Sequence, residues 1–255
     1  MKILNSQQIG DGDKNVIILH GFLGMGDNWR GFAKKFDGRN FSFHLIDQRN
    51  HGKSFHSDEF SYSHMANDLK NYFDHHNIKI ASIIGHSMGG KTAMLFGLSY
   101  PDLVDKLIAV DILPISYNRN YNLIFESLLH TDLRKLKSRN DFNLHLKKYF
   151  EDESFVLFLS KNLKRLEDGK FRFKSNIKVL REEINNITAA INHSKTYPKE
   201  IIFIKGEHSD YVDEEKIALS KNLFPNYKLS VIDNAGHWLH HDNSDDFFSV
   251  CLSYL

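Results

Sequence analysis

Residues 80–89, Ile-Ala-Ser-Ile-Ile-Gly-His-Ser-Met-Gly, set an apolar, β-branched run directly against the pattern Gly-x-Ser-x-Gly. Few local sequences restrict a chain more. A strand that ends here must reverse into a helix beginning near Gly90, with Ser87 at the tip of the turn. The reversal brings the backbones on either side of Ser87 so close that a Cβ at position 85 or 89 would collide, a steric reason for both glycines. Ser87 itself takes a strained conformation that only fixed surroundings tolerate. That strain aims its hydroxyl outward, and the helix N-terminus behind it favours developing negative charge. An ordinary Gly-rich strand-to-helix turn would use the same glycines, so the meaning of the pattern depends on the rest of the chain.

The rest alternates in the same way. Weakly patterned residues 2–9 predict a first strand, and Val16–Leu19, Phe41–Ile46, Leu107–Val110, Ile201–Ile204 and Leu229–Ile232 are short apolar runs. Runs of that kind mark strands buried on both faces. Between them, Asn28–Phe36, Ser63–His76 and Lys91–Leu98 read as helices, the second carrying Met65, Leu69, Tyr72 and Phe73 at helical spacing. The helix after Ser87 stops before Tyr100-Pro101. The pattern predicts a mostly parallel α/β sheet covered by helices on both sides, with functional groups beyond the carboxyl ends of its strands.

Residues 115–199 break the rhythm. They show no buried-strand signature, and Tyr121–Leu129, Phe142–Phe150, Phe155–Leu163 and Ile177–Ile187 read as amphipathic helices. The expected organisation is a core of residues 1–114 and 200–255 with a helical cap, 115–199, inserted between two core strands. Lys and Arg outnumber Asp and Glu in the cap, whereas the remainder is net acidic. The excess describes either a solvated helical surface or a positive rim that attracts an anionic substrate.

Bulk properties exclude several classes of function. A length of 255 residues suits one large domain or a domain with an insertion, and a net charge of +1 offers no general attraction for nucleic acid. Cys251 is the only cysteine, which excludes an intramolecular disulfide and a thiolate metal cluster. No cofactor or metal is expected. The N-terminal residues lack the apolar segment of a signal peptide, and no run approaches a membrane span, so the cytoplasm is the expected location.

A serine hydroxyl needs a base within hydrogen-bonding reach. Among 15 histidines, His237 stands out by position, in Asp233-Asn234-Ala235-Gly236-His237-Trp238 after the last apolar strand. A histidine there swings over the sheet edge toward Ser87. The pairs His75-His76 and His240-His241 read as surface residues.

On these residues the chain resembles the α/β-hydrolases, and among them the small YbfF-type bacterial esterases, relatives of eukaryotic α/β-hydrolase-domain proteins. The segments that carry the resemblance are His20-Gly21-Phe22-Leu23-Gly24, Asp47-Gln48-Arg49-Asn50-His51-Gly52-Lys53-Ser54, Gly85–Lys91, Val110-Asp111-Ile112-Leu113-Pro114 and Ala235–Trp238. They run nearly end to end, with the cap poorly matched. The resemblance implies the α/β-hydrolase fold, Ser87 as nucleophile, His237 as general base, and an oxyanion hole formed by the backbone N–H groups of Met88 and Phe22.

The triad acid has two candidates. Many α/β-hydrolases place it in a Gly-x-x-Asp turn after the strand that here is Ile201–Lys205. In Gly206-Glu207-His208-Ser209-Asp210, however, Ser209 holds that spacing and Asp210 falls one residue late. Asp111, at the end of the strand after the nucleophile, is favoured by the resemblance, with Ser209 as an extra partner of His237 and Asp210 as the alternative acid. His20 and the Arg49–Gly52 run read as scaffold, with Asn50 or Gly52 at positive φ. Trp238, Ser209 and Arg119 are candidate substrate contacts. The function expected is a serine hydrolase acting on carboxylic esters or acyl-thioesters such as acyl-CoA, its partner a small molecule. A carbon–carbon hydrolase or lyase using the same triad, and a binding protein of this fold, are the alternatives. Sequence leaves oligomeric state open.

Overall fold

The computed structural model describes residues 2–255. Its strands are β1 (Ser6–Ile9), β2 (Lys14–Leu19), β3 (Phe41–Ile46), β4 (Ala81–His86), β5 (Val104–Val110), the short pair β6 (Leu163–Arg165) and β7 (Phe171–Phe173), β8 (Ile201–Gly206) and β9 (Tyr227–Ile232). Seven form one sheet in the order β1-β3-β2-β4-β5-β8-β9, and β6 pairs with β7 apart from it. Within the large sheet β1 is antiparallel to β3 and every other pairing is parallel. The chain passes from β2 to β3 on one side and then returns across β2 to β4. That reversal puts the crevice of the sheet at the carboxyl ends of β2 and β4. Phe22 and Ser87 follow those two strands.

Alternation along each inner strand feeds two cores. Ile17, Leu19, Ile83, Leu107, Ala109, Ile201 and Phe203 face one side, against Leu69, Tyr72, Phe73, Met94 and Phe96. These last lie on α2 (Tyr62–His75) and α3 (Met88–Ser99), which follow α1 (Arg30–Lys34) in the chain. Val16, Ile18, Ile84, Ile108, Val110, Ile202 and Ile204 face the other side, against Trp29, Phe32, Phe247 and Cys251. Side chains that alternate between two apolar layers explain why the strands read as continuous apolar runs.

Between β5 and β8 the chain forms α4 (Asn122–Leu129), α5 (Arg139–Leu146), α6 (Glu153–Ser160), α7 (Ile177–Glu182) and α8 (Ile184–Thr188). The helices α9 (Glu214–Ser220), α10 (Leu239–Asp242) and α11 (Ser244–Tyr254) complete the fold. Side chains from the α4–α8 segment, among them Phe125, Leu128, Phe142, Val156 and Leu180, build a third cluster with Leu23, Phe60, Met65 and Met88. The segment is thereby packed onto the end of the sheet that carries Ser87. Phe142 has no exposed surface, and truncating a phenylalanine of that kind to alanine costs about 3–5 kcal/mol.

Two readings of this segment differ from the structure. It contains a hairpin, β6–β7, where no strand was expected. Each strand spans three residues, too short for an alternating pattern, and Leu163 had read as the end of a helix that stops at Ser160. The expected helix 177–187 is two, broken at Glu183, whose φ of −101° and ψ of 12° leave the helical region. The helix after Ser87 begins at Met88, two residues earlier than expected. Among the described residues no helix is long and apolar enough to cross a membrane.

Candidate active site

Ser87 has φ 51° and ψ −117°, a region that non-glycine residues occupy only under restraint from their surroundings. The restraint comes from its own backbone. Its N–H donates to the carbonyl of Val110 at 2.9 Å, and its carbonyl accepts from the N–H groups of Gly90 (2.8 Å) and Lys91 (3.1 Å). A Cβ at Gly85 would lie 2.3 Å from the Gly89 carbonyl oxygen, and one at Gly89 would lie 2.2 Å from that of Leu19. Both glycines are required by close backbone approach.

Asp111 follows β5 in a second positive-φ conformation, φ 51°, anchored by its N–H to the Ile204 carbonyl at 2.7 Å. Its carboxylate has no exposed surface and meets His237 Nδ1 at 2.6 Å. Oδ2 also accepts the Ser209 hydroxyl, and Oδ1 accepts the Gly206 N–H at 3.3 Å. Three donors compensate a buried charge that would otherwise be costly. A carboxylate only accepts, so His237 donates from Nδ1, and the residue lines the same cavity as Ser87.

Two further rings hold His237. Tyr211 stacks on it with centroids 4.0 Å apart and planes 16° from parallel. His86 Nε2 lies 2.8 Å from the His237 carbonyl oxygen. Burial first, and then the neighbouring histidines, push the His86 pKa well below its usual value. His86 is therefore neutral, and because a carbonyl only accepts, its proton sits on Nε2.

The loop after β2 is shaped by two more neutral histidines. Burial pushes His20 down to about 4 and His51 to about 3. His20 donates from Nδ1 to the Gly21 carbonyl (2.8 Å) and accepts the Gln48 N–H on Nε2 (3.0 Å). His51 donates from Nδ1 to the Arg49 carbonyl (2.9 Å) and accepts the Leu23 N–H on Nε2 (3.2 Å). Gln48 closes the set by donating to the His20 carbonyl and accepting from Thr92, at 2.8 and 2.9 Å. Asn50 and Gly52 both have positive φ, 62° and 59°. Between these supports, and among the described residues, the N–H groups of Phe22 and Met88 take no acceptor in the protein. Met88 opens α3, where an N–H has no intrahelical partner.

A cavity of about 630 Å³ joins Ser87 and His237. Its walls include Phe22, Tyr121, Phe155, Phe158 and Trp238, and the Trp238 ring lies 5.4 Å from Phe155 and 5.3 Å from Phe158. The structure thus brings Ser87, His237, Asp111, Phe22, Met88 and Trp238 to one place. Three sequence-predicted residues stand elsewhere. Asp210 is exposed and pairs with Arg119, whose guanidinium lies 4.3 Å from the Tyr211 ring; neither Arg119 nor Asp210 lines the cavity. Ser209 bonds to Asp111 instead of facing a substrate. The turn explains this: with Gly206 donating its N–H to Asp111, the third residue on, Ser209, points back at the carboxylate and the fourth points out.

Sequence reasoning missed Tyr211 and His86, and it read His240 as a surface residue, whereas that ring stacks on the buried Trp29 with centroids 4.2 Å apart and lines the cavity. Nothing local marks a ring that stacks on a histidine 26 positions away, but His86 stands beside Ser87 inside the motif and its place there was a usable signal. Among the described residues no group of three or more His, Cys, Asp or Glu side chains converges as a metal site.

The chain is similar to known proteins along its whole length. It is 31% identical to the sn-1-specific diacylglycerol lipase ABHD11 of Mus musculus, over 98% of this chain and 84% of that one. It is also 31% identical to Esterase YbfF of Escherichia coli, over 94% and 92%. A solved structure described as a marine microorganism esterase superposes with a TM-score of 0.96 at 39% identity, covering 100% of both chains. A family model described as the alpha/beta hydrolase fold matches residues 14–244, and with the sheet and the Ser87 turn described above the chain belongs to that family.

Proposed function

We propose that this protein is a serine hydrolase that cleaves carboxylic esters through an acyl-enzyme. The observation that carries the reading is the Asp111–His237 pair, closed at 2.6 Å, with His237 in the wall of the cavity that the strained Ser87 also lines. Asp111 fixes the His237 tautomer so that Nε2 takes the Ser87 proton as Oγ attacks the ester carbonyl. The N–H groups of Phe22 and Met88 receive the oxyanion, and losing one such donor typically costs about 3 kcal/mol of transition-state stabilisation. His237 then returns the proton to the leaving oxygen as the carbon–oxygen bond breaks. Water, activated by the same Nε2, releases the acid and restores Ser87. The esterase and lipase names of the relatives support the reaction class.

Acyl-thioesters such as acyl-CoA fit the same chemistry, with a thiol leaving in place of an alcohol. In this reading residues 115–199 act as the cap: Tyr121, Phe155 and Phe158 from that segment wall the cavity and exclude water from the reacting carbonyl. Hydrolysis of p-nitrophenyl acetate tests the assignment. The wild type should turn the ester over and Ser87→Ala should not; no turnover of any simple ester by the wild type would overturn it.

A further inference from the structure

Two hollows open on Ser87, and they are unequal. The cavity of about 630 Å³ has His237 in its wall. A second, of about 20 Å³, also meets Ser87, between Met88, Ile112, Tyr117, Ile187 and Lys91; it shares Phe22, Tyr121 and Tyr211 with the first, but His237 is not in its wall. Twenty cubic ångströms is about the room needed for one water or one methyl group. We infer that the small hollow receives the acyl group, which makes the enzyme selective for acetyl- and propionyl-sized acids carried on larger, apolar leaving groups.

The assignment rests on the proposed mechanism and follows from where the proton must go. When Ser87 Oγ bonds to the carbonyl carbon and the bond to the leaving oxygen breaks, His237 Nε2 delivers its proton to that oxygen. The leaving group must therefore occupy the compartment that His237 lines. The oxyanion turns toward the Phe22 and Met88 N–H groups, and the remaining substituent, the acyl chain, is left the hollow that His237 does not line.

The floor of that hollow suits a short group. Lys91 is 1% exposed, and its ammonium donates to the Ala189 carbonyl at 2.6 Å, with Thr188 at 3.5 Å. The Tyr62 and Tyr117 rings lie 5.5 and 5.0 Å from its nitrogen. Among the described residues no carboxylate pairs with Lys91, and burial pushes its pKa down to about 7. A longer alkyl chain would have to displace the lysine from its carbonyl partners or lie against a desolvated amine, and both are unfavourable. An acetyl methyl stops short of it. Met88 and Ile112 close the walls and are themselves 2% and 4% exposed, so the pocket cannot widen without moving the core beneath it.

The test is a series of p-nitrophenyl esters with a constant leaving group and acyl chains of two, three, six and eight carbons. Wild-type kcat/KM should be highest for acetate or propionate and at least a hundredfold lower for octanoate. Ile187→Ala, which opens the wall from α8, and Lys91→Met, which removes the charge at similar length, should each narrow that ratio tenfold or more. Octanoate hydrolysed within threefold of acetate by the wild type would overturn the inference, as would chain-length profiles in both variants within twofold of wild type. Neither result touches the parent assignment, which fails only if no ester is turned over or if Ser87→Ala retains activity.

Discussion

Asp111 and His237 stand 126 residues apart in the chain and meet at 2.6 Å between Oδ2 and Nδ1. The contact spans the fold, joining the end of β5 to the loop after β9. It exists because parallel strands deliver their carboxyl ends to one edge of the sheet. The same carboxylate is held by Ser209 and the Gly206 N–H after β8. Three strand ends thus fix the orientation of one imidazole.

Replacing Asp111 by asparagine should lower kcat by about three to four orders of magnitude, since the amide favours the wrong imidazole tautomer. Asp210→Asn should change kcat less than threefold, because Asp210 is exposed and paired with Arg119. Ser209→Ala, which takes one donor from the carboxylate, should fall between them and act on kcat more than on KM. Steady-state kinetics of the three variants check the ranking, and the reverse order would move the acid to Asp210.

Stability should fall steeply on acidification between about pH 6.5 and 4. Burial holds His20 and His44 at about 4 and His51 and His240 at about 3, with His86 also well below its usual value. Each is neutral when folded and takes up a proton on unfolding below its unfolded pKa, so the unfolded state gains protons as pH drops. The stabilisation is complete above pH 6.5 and is lost as pH falls toward the folded values. Urea melts at pH 7 and pH 5 check this; equal midpoints would contradict it.

The turn at Ser87 and the strands that lead to it were legible in the chain because they follow short, sterically forced patterns, whereas Asp111 and the Phe22 and Met88 N–H groups came from the family resemblance. Gly85 and Gly89 announce the sharp turn at Ser87 since no side chain fits there, and Val16–Leu19 and Ile201–Ile204 announce buried strands by unbroken apolarity. Arg119, Ser209 and Tyr211 were not legible in the same way. Their roles depend on which direction a four-residue turn faces and which ring lies across from it, and neither leaves a periodic trace. The β6–β7 hairpin escaped because three-residue strands are shorter than any pattern that could identify them. The break at Glu183 escaped because Ile177–Ile187 keeps helical spacing across it.

Gly89→Ala should abolish ester hydrolysis and lower the melting temperature by several degrees. Its Cβ would lie 2.2 Å from the Leu19 carbonyl oxygen, and Leu19 cannot retreat without disturbing the pairing of β2 with β4. A thermal melt and an activity assay check the variant. Wild-type behaviour in both would show that the turn is less confined than the geometry states.

Should acyl-CoA thioesters be substrates, the basic excess of residues 115–199 would steer them. Arg119 is engaged by Asp210, so the residue to test is Lys161, which lines the main cavity. With an anionic thioester, kcat/KM should fall as salt rises, because the Debye length shrinks from about 10 Å at 0.1 M to about 3 Å at 1 M. A neutral ester of the same acyl chain should be indifferent, and Lys161→Glu should weaken only the anionic substrate. Identical salt profiles would mean that the charge is a solvated surface.

The most direct measurement is covalent. A fluorophosphonate probe reacts preferentially with a serine activated by a base and an oxyanion site. Incubation with the wild type followed by peptide mass mapping should place one adduct on Ser87, and Ser87→Ala should lose both the adduct and ester turnover while keeping its fold. An adduct at another residue, or undiminished hydrolysis by Ser87→Ala, would contradict the assignment of Ser87 as the nucleophile.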